Sequence, residues 1–183
     1  MYHPIKLAIV GASSTGKTTL LTHLEKKYKG NKQIAFVHES ARQFFNENQV
    51  DNPFDITNQE KILDLALLNE KLARETNPKV ILTDTSALEV IFYTKVQGNE
   101  AGAKQLRSRL ESYIPTYTKF LLLNPEDVMF ENDEVRRESK KTRDTIHSML
   151  VAFYHQEKLP FVLISGTIFE REKRIRDIIQ TYL

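Results

Sequence analysis

The 183-residue chain contains no cysteine. Disulfides, thiol nucleophiles and thiolate metal sites are therefore excluded. It has no run of about 18 apolar residues, so no transmembrane helix is expected. Repeats and low-complexity stretches are also lacking. A strand-like run begins at Ile5, which leaves no room for a signal peptide ahead of it. A reducing cytoplasm is the expected location, and no membrane partner is expected. Excess charge is small as well: 26 Lys and Arg against 24 Asp and Glu give a formal net charge of +2. That balance supplies no broad basic face for nucleic acid, so no nucleic-acid partner is expected. What remains is a chain with 40% hydrophobic and 27% charged residues, the proportions of a globular protein. Its length suits one domain, residues 1–183, with a substantial core.

Five short apolar runs punctuate the chain: Ile5–Val10, Ile34–Val37, Val80–Leu82, Phe120–Leu123 and Phe161–Ile164. They are continuous rather than alternating, which fits parallel strands buried on both faces. Helical patterns fill the gaps and suit right-handed crossovers. Thr57 with Glu60, Ser40 with Gln43 and Thr167 with Glu170 fit capping boxes at helix starts. Pro53, Pro78, Pro115, Pro125 and Pro160 fall at element edges, where proline is tolerated. The fold expected is a three-layer α/β domain with a five-stranded parallel sheet. Ligands in such sheets bind beyond the carboxyl ends of the strands, so the residues following each run are the functional candidates.

After the first run, Gly11–Thr18 reads G-A-S-S-T-G-K-T. It matches the phosphate-binding pattern G-x-x-x-x-G-K-[ST], with a strand before it and a helical pattern from Thr19 after it. Backbone N–H groups of such a loop and the helix N-terminus form an anion site. Gly11, Ser13, Ser14, Thr15, Gly16, Lys17, Thr18 and Thr19 are the expected nucleotide-binding residues. Lys17 is expected on the β- and γ-phosphates of ATP, and the Thr18 hydroxyl on Mg²⁺. A plain Gly/Ser turn would not call for Lys17 followed by two threonines.

After the second run comes His38-Glu39-Ser40-Ala41-Arg42. Glu39 can orient or deprotonate an attacking hydroxyl, and Arg42 can hold an acceptor through a bidentate contact. A surface ion pair at a helix start is the plainer reading of the same two residues. His38 reads as a loop residue. After the third run, Asp84 is the expected partner of Mg²⁺, or a helix N-cap, or both. Tyr93, on the helix that follows, faces either the acceptor or the core.

After the fourth run a polar stretch runs from about Asn124 to Arg143. Five of the eight positions from Arg136 to Arg143 are basic: Arg136, Arg137, Lys140, Lys141 and Arg143. Phosphoryl transfer spreads charge over several oxygens, so catalysis there is mostly positioning plus positive charge. The stretch is read as a lid at about residues 124–143, with a solvated helix face or a nucleic-acid patch as the plainer alternatives. Phe130 either stacks on a planar acceptor ring or anchors the segment. Gly166, after the fifth run, admits close approach of an adenine ring or serves ordinary turn geometry.

Taken in order, G-A-S-S-T-G-K-T, E-S-A-R (Glu39–Arg42), I-L-T-D-T (Ile81–Thr85) and L-L-L-N-P-E-D-V-M-F-E-N-D-E-V-R-R (Leu121–Arg137) resemble a known P-loop kinase domain. It is the domain that phosphorylates ribosylnicotinamide in bifunctional NAD-biosynthesis proteins. The wider group of small AAA-labelled ATPase/kinase domains, relatives of thymidylate and deoxynucleoside kinases, is similar too. The resemblance covers nearly the whole chain. It implies an adenylate-kinase-like fold and an ATP-dependent small-molecule kinase using Mg²⁺. It further implies that Glu39, Arg42 and Asp84 line the acceptor and metal site. Phe130 and Asp133 would lie on the acceptor side of the lid, and Arg136 would meet phosphate. Apart from the resemblance, Arg143 is a further substrate-binding candidate, and the residues leave open whether the lid arginine is Arg136, Arg137 or Arg143. The chain departs from the family at Ser86, where a second carboxylate is common, at Glu134, where glycine is common, and at Phe130, where tryptophan is usual.

Two functional classes remain distinct at this level. One is a kinase that moves the γ-phosphoryl of ATP to a nucleoside-like acceptor such as ribosylnicotinamide, with Lys17, Glu39, Asp84 and Arg136 as its catalytic residues. The other is a nucleotide-binding ATPase module that acts through a protein partner. A guanine switch would carry N-K-x-D, and Asn124-Pro125-Glu126 lacks the lysine. The sequence leaves a monomer or a homo-oligomer equally open.

Overall fold

A computed structural model describes residues 3–126 and 140–183. The first strand, β1 (Ile5–Val10), leads through a loop to α1 (Lys17–Lys27) and then β2 (Ile34–Val37). Helices α2 (Ser40–Glu47) and α3 (Ile56–Glu75) precede β3 (Val80–Asp84). Helices α4 (Glu89–Val96) and α5 (Glu100–Leu110) and a short 3₁₀ turn, Ile114–Thr116, lead to β4 (Lys119–Leu123). Then follow α6 (Lys140–Gln156), β5 (Phe161–Ile164) and α7 (Ile168–Gln180). The strands form one five-stranded sheet in the order β2-β3-β1-β4-β5. Every pairing is parallel.

Both faces of the sheet are covered. Leu7 and Ile9 of β1 pack with Leu20, Leu21 and Leu24 of α1 and Ile175 and Ile179 of α7. Ala8 and Val10 point the other way, into a cluster with Ile62, Leu63, Phe92, Leu106, Leu150 and Phe153 from helices α3 to α6. This double burial explains the unbroken apolar runs. A strand with one wet face would alternate.

The third strand is longer than its apolar run. It includes Thr83 and ends on Asp84, which pairs with Ile9. The carboxylate is thus a strand residue rather than a loop residue. Of the three expected capping boxes, only Thr167 with Glu170 forms. Helix α3 starts one residue before Thr57, and its cap is Asp55, whose side chain accepts from Thr57 N at 2.9 Å. Ser40 is already inside α2; Glu39 stands at the N-cap position and makes no side-chain cap. The Ser40 hydroxyl instead accepts from Asn69 Nδ2 at 3.0 Å, tying α2 to α3.

A charged network also enters the sheet from β1. Lys6 of β1 is buried, with its Nζ 2.6 Å from Glu70 of α3 and 2.8 Å from Thr116 Oγ1. The ammonium lies 4.0 Å from the centre of the Tyr113 ring and 4.5 Å from that of Tyr117, a cation–π arrangement. Both tyrosine hydroxyls donate to Glu70. Tyr117 also accepts from Ala87 N at 2.9 Å, which fixes the backbone just beyond Asp84. The network therefore holds the loop leaving β3 in place.

Candidate functional site

The loop between β1 and α1 is built for close backbone approach. Gly16 takes φ +85° at the N-cap of α1, in the left-handed region that favours glycine. A Cβ on Gly11 would lie 2.9 Å from Thr15 Oγ1 and 3.3 Å from Leu123 O. The first glycine thus lets the loop pack against the end of β4. The Thr15 hydroxyl donates to Ala12 O at 2.8 Å, closing the loop on itself. Ser14 holds φ +52° without being glycine, a local strain of the kind that collects at ligand sites.

Lys17 is buried, and its Nζ donates to Gly11 O at 2.9 Å and Ala12 O at 3.0 Å. The ammonium spans the mouth of the loop, held by neutral carbonyls that a phosphate oxygen would outcompete. Thr18, next on α1, donates its hydroxyl to Asp84 Oδ2 at 2.6 Å. Thr19 is exposed on the first turn. Gly11 and Ser13 are buried within the loop, and Gly16 is half-buried.

Asp84 is buried, and its Oδ1 has no hydrogen-bond partner. Burial raises its pKa above the ordinary carboxylate value, an effect opposed by the charge of Lys17 and the bond from Thr18. An orphaned, desolvated carboxylate oxygen beside a threonine hydroxyl fits a hard divalent cation. Among the described residues no group of three His, Asp or Glu could hold a metal alone. Mg²⁺ would accordingly share its coordination with phosphate oxygens, as it commonly does.

A cavity of about 750 Å³ opens beside the loop. Ser13 of the β1–α1 loop and Lys17 at the start of α1 are among its lining residues. Glu39, Arg42 and Phe45 line it from α2, and Ser86, Glu89 and Tyr93 from beyond β3. Arg42 Nε lies 3.3 Å from Glu39 Oε2; the acid is buried and the arginine half-exposed. The sequence-derived acceptor residues Glu39 and Arg42 thus share one cavity with Lys17. Tyr93, open between two readings in the sequence, lines the same cavity while its ring meets Phe92 edge-on at 5.1 Å. His38 is exposed near Glu25, 3.3 Å away.

The expected lid is described only at its ends. Phe130, Asp133, Arg136 and Arg137 lie outside the described residues. Asn124 N continues the β4–β5 ladder to Ile164 O at 2.9 Å. Lys140, Lys141 and Arg143 belong to the first turn of α6, where Arg143 is buried with its Nε 3.3 Å from Asp144. Gly166 takes φ +97°, and a Cβ there would lie 2.7 Å from Glu170 Oε2. The Glu170 side chain of the α7 capping box thus closely approaches that glycine.

Two residues stand at the site without a sequence signal. Glu89 is buried in the first turn of α4 and lines the cavity. An acid in a first helical turn is unremarked in a sequence because the helix dipole favours it anywhere. Arg171 of α7 is only 1% exposed, and its guanidinium donates to Thr15 O, Asn124 O and Gly166 O. Nothing local distinguishes it from the other charged residues of that helix.

Among solved structures, the NadR protein in complex with NAD and AMP-PNP matches with a TM-score of 0.72 and 18% identity, over 98% of this chain and 49% of that one. The NadR protein in complex with NR matches with a TM-score of 0.73 and 20% identity, over 98% and 51%. The chain thus spans about half the length of these two proteins. Thymidylate kinase from Ehrlichia chaffeensis matches with a TM-score of 0.65 and 12% identity, over 98% and 100%. At these identities the likeness is one of fold, that of a five-stranded parallel α/β sheet. A sequence search of curated proteins gives no match. The AAA domain family model matches residues 6–171, from β1 through the phosphate loop to Arg171, and the chain belongs to that family.

Proposed function

We propose that the protein is an ATP-dependent kinase that transfers the γ-phosphoryl of ATP to a hydroxyl of a nucleoside-like acceptor, ribosylnicotinamide being the first to test. The observation that carries this reading is the cavity of about 750 Å³ whose lining includes Ser13 and Lys17 together with Glu39 and Arg42. A module that only hydrolysed ATP would need room for a water at that position, not for a molecule with a ring. The NadR structures with AMP-PNP and with NR support the choice of nucleotide and of first acceptor.

In this reading the loop amides and Lys17 bind the triphosphate. Mg²⁺, when bound between Thr18, Asp84 and phosphate oxygens, would neutralise charge on the β- and γ-phosphates. Glu39 accepts a hydrogen bond from the acceptor hydroxyl and takes its proton as the oxygen bonds to γ-phosphorus. The bond between γ-phosphorus and the β–γ bridging oxygen breaks, and ADP leaves with that electron pair. Arg42 holds the acceptor. Arg136 stabilises the phosphoryl group in flight.

The test is an ATP-consumption screen over nucleosides, nucleoside monophosphates and ribosylnicotinamide, with hydrolysis measured in parallel. The expected result is ATP use that depends on one acceptor, with a phosphorylated product of matching mass. Acceptor-independent hydrolysis would instead identify an ATPase module that works through a protein partner.

A further inference from the structure

Three strand exits meet at one side chain. The phosphate loop leaves β1, Asn124 follows β4, and Gly166 follows β5. Arg171 reaches all three: Nη1 donates to Thr15 O at 3.1 Å, Nη2 to Asn124 O at 2.6 Å and Nε to Gly166 O at 2.6 Å. The residue is almost wholly enclosed. Its own placement is fixed by the capping box one turn earlier, where Thr167 N donates to Glu170 Oε2 at 2.7 Å.

We propose that Arg171 is a positioning residue of the nucleotide site, setting the Thr15–Gly16 peptide for phosphate binding and tying it to the exits of β4 and β5. The proposal rests on reading Gly11–Thr18 as a phosphate loop. The carbonyl of Thr15 and the N–H of Gly16 belong to the same peptide unit. A cationic donor on that carbonyl polarises the unit and strengthens its N–H as a donor to an anion. It also fixes the plane of the peptide, so the N–H points the same way before and after phosphate arrives. Preorganised donors of this kind cost no reorientation on binding. The contacts to Asn124 O and Gly166 O make the arrangement rigid, because a guanidinium presents its donors in one planar fork. Lysine at this position would keep the charge and lose the fork. Arg171 touches no reacting atom in this scheme; it acts through the loop.

The experiment compares wild type with Arg171→Met and Arg171→Lys, all at a temperature where melting curves show them folded. Calorimetry measures MgADP and, separately, inorganic tripolyphosphate, which has no base or sugar. Hydrogen bonds from charged groups are worth enough that Arg171→Met should bind both probes about tenfold more weakly. Arg171→Lys should recover part of the loss for both. Melting temperatures that fall while both affinities stay at the wild-type value would overturn the proposal, leaving Arg171 a packing residue. Weakened MgADP with unchanged tripolyphosphate would overturn it too, because the effect would then lie on the base side. If Arg171→Met does not fold, Arg171→Lys decides alone: wild-type affinity for tripolyphosphate counts against, reduced affinity supports. A wild-type protein that binds neither probe would overturn the phosphate-loop reading itself, an outcome distinct from all of these.

Discussion

Thr18 and Asp84 are 66 positions apart, yet the Thr18 hydroxyl donates to Asp84 Oδ2 at 2.6 Å. Parallel pairing of β1 with β3 makes this contact, since Ile9 and Asp84 are in register. The first turn of α1 then lies over the carboxylate. The second oxygen, Oδ1, is left buried and unbonded.

That orphan oxygen predicts a trade between stability and metal use. Burial raises the Asp84 pKa above its ordinary 3.8. The folded state therefore keeps its proton to a higher pH than the unfolded chain. The stabilising contribution is fully present below 3.8 and is lost as pH rises through the folded-state value. At neutral pH the ionised carboxylate is a local cost that a divalent cation would offset. Asp84→Asn should raise the melting temperature of the nucleotide-free protein at pH 7 by a few degrees, for a gain of about 1 kcal/mol. The gain should vanish on titration to pH 4. Mg²⁺-dependent turnover should collapse in the same variant. A melting temperature at pH 7 equal to or below wild type would contradict the electrostatic argument.

Lys17 Nζ donates to two loop carbonyls, those of Gly11 and Ala12. Its removal should therefore leave the sheet and core intact. Lys17→Ala is expected to weaken ATP about tenfold to a hundredfold, the range for one or two charge-assisted bonds. Far-ultraviolet circular dichroism should be unchanged. Calorimetry reads the affinity directly; wild-type binding by the variant would remove the basis for assigning nucleotide to this loop.

The buried Lys6–Glu70 pair predicts a different asymmetry. Burial lowers the Lys6 pKa, and the charge of Glu70 opposes the effect. Removing one partner strands the other charge in a dry setting, which typically costs about 3–5 kcal/mol. Glu70→Leu alone should therefore be severely destabilising. Lys6→Met with Glu70→Leu should recover part of the loss, because no lone charge stays buried, while the Tyr113 and Tyr117 hydroxyls still lack their acceptor. Urea unfolding of the two singles and the double closes the cycle. Additive losses would mean that the ion pair is not the interaction that matters.

The five strands and the strand–loop–helix setting of Gly11–Thr18 were legible because their signals are local. A motif of eight residues and unbroken apolar runs need no knowledge of tertiary contacts. The helix caps were less legible. Asp55 and Thr57 both have capping chemistry two residues apart, and Ser40 serves a tertiary bond to Asn69 rather than its own helix. Glu89, Arg171 and the Lys6 network were not legible at all. Arg171 meets Thr15 across 156 positions and Asn124 across 47. Charged residues on helices are ordinary in any sequence; only the fold carries these three into buried positions.

Glu39 and Arg42 allow the chemical and binding roles in the acceptor cavity to be separated. Their contact is 3.3 Å, with Arg42 half-exposed, so the ion pair contributes little to stability. Substituting either residue should leave the melting temperature within about a degree of wild type, and kinetic changes can then be read as changes at the site. Glu39 is the buried member and sits at the start of α2, in the same cavity as Lys17. As general base it acts in the transition state, so Glu39→Gln should lower kcat by about a hundredfold, within the usual range for general-base catalysis. The KM for ATP should barely move, since Glu39 acts on the acceptor hydroxyl rather than on the triphosphate. Arg42→Ala should do the reverse for the acceptor: its KM rises about tenfold while kcat is largely kept, the pattern of an interaction present equally in ground and transition states. Measuring both parameters for both substrates distinguishes the roles. If Glu39→Gln raises the acceptor KM and leaves kcat unchanged, Glu39 is a binding group and the proton goes elsewhere, with Asp84 the next carboxylate to test. If both variants match wild type in all four parameters, the cavity is not where the acceptor binds.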